Sequence, residues 1–390
     1  TKTTPPIRGS RRVLEESHCN IGVGCKQSKM LSAVANSVKR ASSHTGAAKR
    51  CLSSMVAMDL EFPGTPETSA SAPSKLGTQT ATLSNGVQVI ASQTAGQSSS
   101  ISVFVGAGSK YESSSDAGSA LMLKTMAFKQ TTERSDLRIC RDLEDVGATP
   151  ESAAGREHVS YTVSCLPEAV GTALEAVAET VLSPKLANWE VQELKAVANS
   201  QIEAATSNPS TVLSELLHAA AYGEESAMGH SFYSPVSKIT GDSLKSFREK
   251  LYVGSNITLV GVNVGLDELK ASAEPLFAGA ASGSAAAAAA SPYLGGELRM
   301  KADSPYTYLA LAHEVADPAA AAALKAILDA KLRGSPLSAA PFAAAYAGTG
   351  LVGLCGVCVP GAAPQALDGL RSALAGLGAL AAEDVALGEA

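Results

Sequence analysis

Long apolar runs are missing from this chain. No stretch reaches the roughly 18 consecutive apolar residues that read as a membrane-crossing helix, although 45% of its 390 residues are hydrophobic and only 17% are charged. Apolar residues in that proportion, dispersed rather than massed, can build a sizeable core, and the length allows two ordinary domains. A positive excess is missing too. With a net charge of −6 there is no global basic surface for nucleic acid. Cysteine is sparse and irregular: seven residues, an odd number, make no disulfide framework and fit a reducing compartment such as cytosol or mitochondrial matrix. No phosphate loop of Walker type occurs, and Gly106 and Gly108 do not continue into a dinucleotide fingerprint.

What is present begins with charge. Residues 1–77 carry no sustained strand or helix pattern. The first fifty residues hold ten Lys or Arg against Glu15 and Glu16 alone, and no acid appears from Met30 until Asp59. Leu31, Val34 and Val38 share one helical face, with Lys39, Arg40, Lys49 and Arg50 supplying charge. A basic, Ser-rich, acid-poor amphipathic start is the composition of a mitochondrial presequence; a disordered basic tail is the plainer alternative. On the first reading Met30 is the start and residues 1–29 are translated leader.

Strand signals begin at Thr80. Asn85-Gly86 between apolar runs predicts a tight hairpin. ISVFVGAGS reads as a buried strand ending in glycines. Asp116 is placed to cap a helix through Ala127, and Ser135 a second one with Leu137, Cys140, Leu143 and Val146 on one face. HVSYTVSCL alternates as a half-buried strand, and Pro167 opens a helix with Leu174, Val177 and Val181 inside. Helices are expected near 189–206, 211–222 and 242–251, and a strand over 256–264.

The plan then recurs. Cys165-Leu166-Pro167 returns as Cys358-Val359-Pro360, 193 residues later, and the same step carries Leu174, Val177 and Val181 onto Leu367, Leu370 and Leu374. A strand over 306–315 and a helix over 319–332 fit the same order. The fold expected is α+β, with two homologous domains, each a mainly antiparallel sheet packed with helices. The organisation is residues 1–77 as presequence region, 78–275 as first domain, 276–295 as an Ala/Gly/Ser linker, and 296–390 as second domain. By the repeat, the second copy stops about 65 residues short of the first and is expected to be C-terminally incomplete.

The text VFVGAGSKYES, AGSALMLKTMAFKQT, LEDVGA, REHVSYTVSCLPEAV, LSPKLANWEV, ELLHAAAYGEESAMGHSFYSP and NITLVGV, with YLGGELRM and AYAGTGLVGL in the second half, resembles the pitrilysin-type zinc protease family. Within that family it is similar to the core subunits of the respiratory bc1 complex; the blocks around Trp189-Glu190-Val191 and LLHAAAY carry that narrower likeness. Active relatives bear an inverted His-x-x-Glu-His motif, whose two imidazoles lie on one helical face and bind zinc while the Glu polarises the metal-bound water. A Glu from a later helix completes the protein ligands.

Aligned on MAFKQT, the resemblance puts Leu121 at the first His, Lys124 at the Glu and Thr125 at the second His. Glu193 keeps an acidic position on the distal helix, but the ligand seven residues on is Ser200. Leu has no lone pair, Thr is a poor neutral ligand, and Lys brings a cation to the metal's place. No register shift restores the motif, because no His lies between residues 45 and 157. No catalytic residue, metal or cofactor is therefore expected.

Other candidates read as structural. His158 follows Arg156-Glu157 in an Arg-Glu-x-x-x-Tyr block closed by Tyr161. His218 is a lone imidazole on a helix, more often packed than ligating. Cys355 and Cys358 have redox spacing, but they sit in an alternating strand with no helix N-terminus to lower a thiol pKa. Gly350 and its neighbours read as tight strand packing.

The resemblance implies a non-catalytic scaffold on the matrix side of the inner membrane, peripheral, paired with core protein 1 and supporting cytochrome b, cytochrome c1 and the iron–sulfur protein, with no nucleic-acid partner. A second reading is the non-catalytic α subunit of the mitochondrial processing peptidase, which binds presequences. A glycine-rich loop would favour it, and LDAKLRGSPLSAAPF holds a single glycine. A hydrolase of another mechanism lacks a nucleophile–base pair.

Overall fold

A computed structural model describes residues 77–376, apart from Ala95, 285–286, 288–290 and 334–337. The presequence expected from Met30, and everything expected beyond residue 376, lie outside the described residues. The fold is α+β, with antiparallel pairing dominant.

The first sheet has six strands in the order β1-β2-β6-β3-β5-β4. These are β1 (Gly77–Thr82), β2 (Gln88–Gln93), β3 (Ser99–Val105), β4 (Thr149–Ala154), β5 (Val159–Cys165) and β6 (Ile257–Val262). All pairs are antiparallel except β2 with β6. Helices α1 (Ser119–Thr125), α2 (Asp136–Asp145), α3 (Val170–Leu182), α4 (Asn188–Thr206), α5 (Pro209–Tyr222), α6 (Gly241–Leu251) and α7 (Leu266–Phe277) accompany it. The core lies between sheet and helices, where Ile101, Val103 and Val163 meet Leu174, Val177 and Val181. Each of those side chains contributes on the order of 2 kcal/mol by leaving water.

The second sheet has three strands, β7 (Thr307–Glu314), β8 (Ala339–Tyr346) and β9 (Thr349–Cys358), in the order β7-β9-β8, with α8 (Pro318–Leu332) and α9 (Ala363–Ala375). It repeats the β3-β5-β4 part of the first sheet. The 193-residue step carries the 3-10 turn Pro167–Ala169 and helix α3 onto Pro360–Ala362 and α9. In both places Pro opens the turn at a position where its missing N–H is not needed.

The tight hairpin expected at Asn85-Gly86 joins β1 to β2, while other local expectations change. Gly86 N–H donates to Leu83 O, and Leu83 N–H to Val87 O. Only Gly86 has positive φ, at 92°, which is a type I turn closed by a left-handed glycine. Helix α1 starts at Ser119, not near Asp116, and Asp116 lies in the preceding turn. On α2, Ile139 and Leu143 are buried while Leu137 and Cys140 are exposed; Ser135 does cap it, accepting from Arg138 N–H. The linker begins later than 276. Leu269, Ala273 and Phe277 are buried at helical spacing on α7, and Gly254 N–H still reaches Ala281 O.

Candidate functional site

Strand β3 leaves the sheet through Gly106 and Gly108, where the chain passes so close to Asn256 and to the backbone of Arg156 that a Cβ would clash. Ser109 and Lys110 N–H groups then bond Gly155 O and Arg156 O. This path delivers Glu112 beneath the start of α1. Its buried carboxylate accepts from Gly118 N–H at 2.8 Å and Ala120 N–H at 2.7 Å. Glu112 thus does the capping assigned by sequence to Asp116, and Gly118 supplies the left-handed φ of 88° at the N-cap.

Leu121, Met122 and Leu123 of α1 are buried in the core. Lys124 turns toward α4, and its Nζ donates to Gln201 Oε1 at 3.3 Å. Thr125 Oγ1 donates back to Leu121 O at 2.9 Å. Ser152 on β4 donates to Lys124 O. Ser200 and Glu193 are exposed on α4. The seven-residue step between them is two near-complete turns, so both share one face, and it is Gln201 that meets α1. Reasoning by spacing missed Gln201; one further residue along the helix would have found it. Among the described residues no three His, Cys, Asp or Glu side chains stand close enough to hold one metal ion.

A buried polar cluster lies under the turn from β4 to β5. Arg156, 6% exposed, donates through Nη1 to Met228 O at 2.9 Å and His230 O at 2.7 Å, and through Nη2 to Glu215 Oε2 at 2.8 Å. Phe232 N–H donates to the same oxygen. His230 Nε2 stands 3.5 Å from Glu112 Oε2, an ion-pair distance too long for a good hydrogen bond. The Glu112 carboxylate holds the His230 pKa above its usual value. A cavity of about 340 Å³ opens beside this cluster, lined by Thr206, Val212, Glu215, Leu216, His230 and Tyr233 among others. Tyr161, closing the Arg-Glu block, bonds Tyr252 Oη at 2.8 Å, and burial pushes its pKa up to about 12. His158 contributes an edge contact to Phe104.

His218 on α5 is buried and bonded at both nitrogens, to Ser214 O and to Tyr346 Oη of β8, each at 2.7 Å. A carbonyl only accepts, so Nδ1 carries the proton and Nε2 accepts from Tyr346 O–H. Burial depresses the His218 pKa to about 4. Beside it Tyr222 Oη bonds Thr349, and Ala347 N–H donates to Glu157, which also pairs with Lys110 at 3.0 Å. Cys355 and Cys358 are three positions apart on β9 and so point to opposite faces; burial raises the Cys355 thiol.

Residues 88–235 match the family described as insulinase, peptidase family M16. Among curated proteins the chain is 33% identical over 246 residues to the probable mitochondrial-processing peptidase subunit alpha-2 of Arabidopsis thaliana, covering 62% of this chain and 48% of that one. It is 31% identical over 220 residues to human cytochrome b-c1 complex subunit 2, covering 56% and 48%. To the subunit 2 of Cryptococcus neoformans it is 31% identical, covering 57% and 51%. The chain spans about half the length of the curated relatives it matches.

Proposed function

We propose that this protein is a non-catalytic core subunit of the mitochondrial cytochrome bc1 complex, of the core protein 2 type, in which the zinc site of its protease kin is lost. The observation that carries the proposal is the condition of α1. Leu121 is sealed in the core, Lys124 extends a cation to Gln201, and Thr125 turns its hydroxyl back onto its own helix. A zinc ion needs three N, O or S donors in a catalytic site, and this donor set does not fit one. Likeness to the subunit 2 proteins supports the assembly role. The expected place is the matrix side of the inner membrane, peripheral, beside core protein 1, cytochrome b and cytochrome c1.

The second reading, a processing-peptidase α subunit, is favoured by the likeness to the plant α subunits. Blue-native electrophoresis of mitochondrial extracts with mass spectrometry separates the two. Co-migration with cytochrome b and cytochrome c1 is expected, and migration as a small heterodimer with a peptidase β subunit would replace the proposal. Metal analysis of the purified protein should find zinc far below one equivalent. A stoichiometric zinc ion that survives gel filtration would refute the loss of the site.

A further inference from the structure

The arginines drawn into the first domain do not all find a counter-charge. Arg134 meets Asp142 and Glu179, and Arg156 meets Glu215. Arg248 of α6 pairs with no carboxylate among the described residues. It bonds the end of α3 instead. Nε and Nη2 donate to Val181 O at 3.2 and 2.6 Å, and Nη2 donates also to Leu182 O. The end of a helix carries roughly half an elementary negative charge, so the guanidinium is only partly compensated. Its Nη1 bonds no described protein acceptor. Burial lowers the Arg248 pKa, as expected of a cation taken from water without a full counter-charge.

A second surplus donor lies beside it. The guanidinium stands 5.3 Å from the centre of the Tyr252 ring. Tyr161 Oη and Tyr252 Oη are 2.8 Å apart, and both side chains are buried. One hydroxyl proton lies between the two oxygens. The other has no acceptor among the described residues, since neither hydroxyl bonds anything else, and a buried O–H is seldom left so. A cavity of about 10 Å³ touches Arg248, Tyr161 and Tyr252, with Met126, Thr180 and Leu186 on its wall and no acid around it. It has room for one occupant of about the size of a water molecule. Leu186 holds a φ of 47° there, a left-handed conformation that bulky residues rarely adopt and that clusters where a ligand is clamped.

The geometry points to a binding site for one monovalent anion of the size of chloride, held between the Arg248 guanidinium and the unshared tyrosine proton. A water molecule would satisfy the hydroxyl but leave the desolvated charge uncompensated. A phosphate or a carboxylate-bearing ligand is too large for the cavity. The anion ties α6 to the end of α3 and to β5, which carries Tyr161. Every lining group lies between residues 123 and 252, so the site rests on the first domain alone and not on the scaffold reading.

The test unfolds the full chain in urea at constant ionic strength while chloride replaces gluconate. The unfolding constant should fall saturably, as one site requires, by about tenfold once chloride reaches roughly ten times its dissociation constant. The double variant Tyr161→Phe with Tyr252→Phe removes both hydroxyls together, leaves no unpaired group behind and should fold. It should bind chloride on the order of tenfold more weakly. Crystals soaked in bromide should show an anomalous peak beside Arg248. The proposal is overturned if stability ignores chloride, if the double variant responds as the parent does, or if the peak is absent and a neutral water fills the cavity. None of these outcomes depends on co-migration with the bc1 complex.

Discussion

Residues 156 and 218 show what single side chains do here. Arg156 is a buried cation whose fork reaches one carboxylate and two carbonyls at once. Arg156→Ala strands the Glu215 charge and should cost about 3 kcal/mol in urea unfolding. Arg156→Lys keeps the charge but loses the fork, and should cost less than half of that. His218 sets a pH dependence. Its folded pKa of about 4 lies below its unfolded value, so the unfolded chain takes up a proton first as pH falls. Stability is full above the unfolded pKa of about 6.5 and declines towards pH 4, by up to about 3 kcal/mol. His218→Gln should flatten that part of the profile in urea melts collected across the range. His230 acts with the opposite sign, since its raised pKa gives stability that is present at low pH and lost as pH rises through the folded value.

Among the elements, those opened by a proline turn or carrying a regular apolar stripe were legible: α3 and α9 after Pro167 and Pro360, α4, α5, α6, and the alternating β5. Two edge strands were not. Both β4 and β8 contain a proline, Pro150 and Pro341, and side chains poor in β-branching. Proline is tolerated there because an edge strand leaves its outer N–H positions unpaired. Helix α7 escaped notice because Gly265 precedes it and Pro275 lies in its last turn. Strand β9 carries Gly353, over which the backbone of Leu311 and Ala312 passes too closely to admit a Cβ. Gly353→Ala should therefore open β7 and β9 while leaving β3 and β5 intact. Amide exchange resolved by strand measures this, and equal loosening of both sheets would contradict it.

At the scale of the whole molecule, the two sheets are joined through α5. His218–Tyr346, Tyr222–Thr349 and Glu157–Ala347 form one polar seam, with Leu351 packed beside Ala221 and Tyr222. Tyr346→Phe removes the donor to His218 Nε2 and leaves a buried acceptor unmatched, at about 1–2 kcal/mol. A double-mutant cycle with His218→Gln should return a coupling of similar size, and additive effects would show that the seam carries no energy.

That a leucine, a lysine and a threonine stand where the resemblance places the family's ligands and base was readable from the chain alone, because their side-chain chemistry is the same in any fold. So were the doubled strand–helix plan and the basic start, which are matters of period and composition. Tertiary structure alone decided which partners those residues meet: that Gln201 and not Ser200 faces Lys124, that Glu112 caps α1, and that Arg156 finds Glu215. Such pairings join positions far apart in the chain, and only the closure of the core brings them within hydrogen-bonding distance.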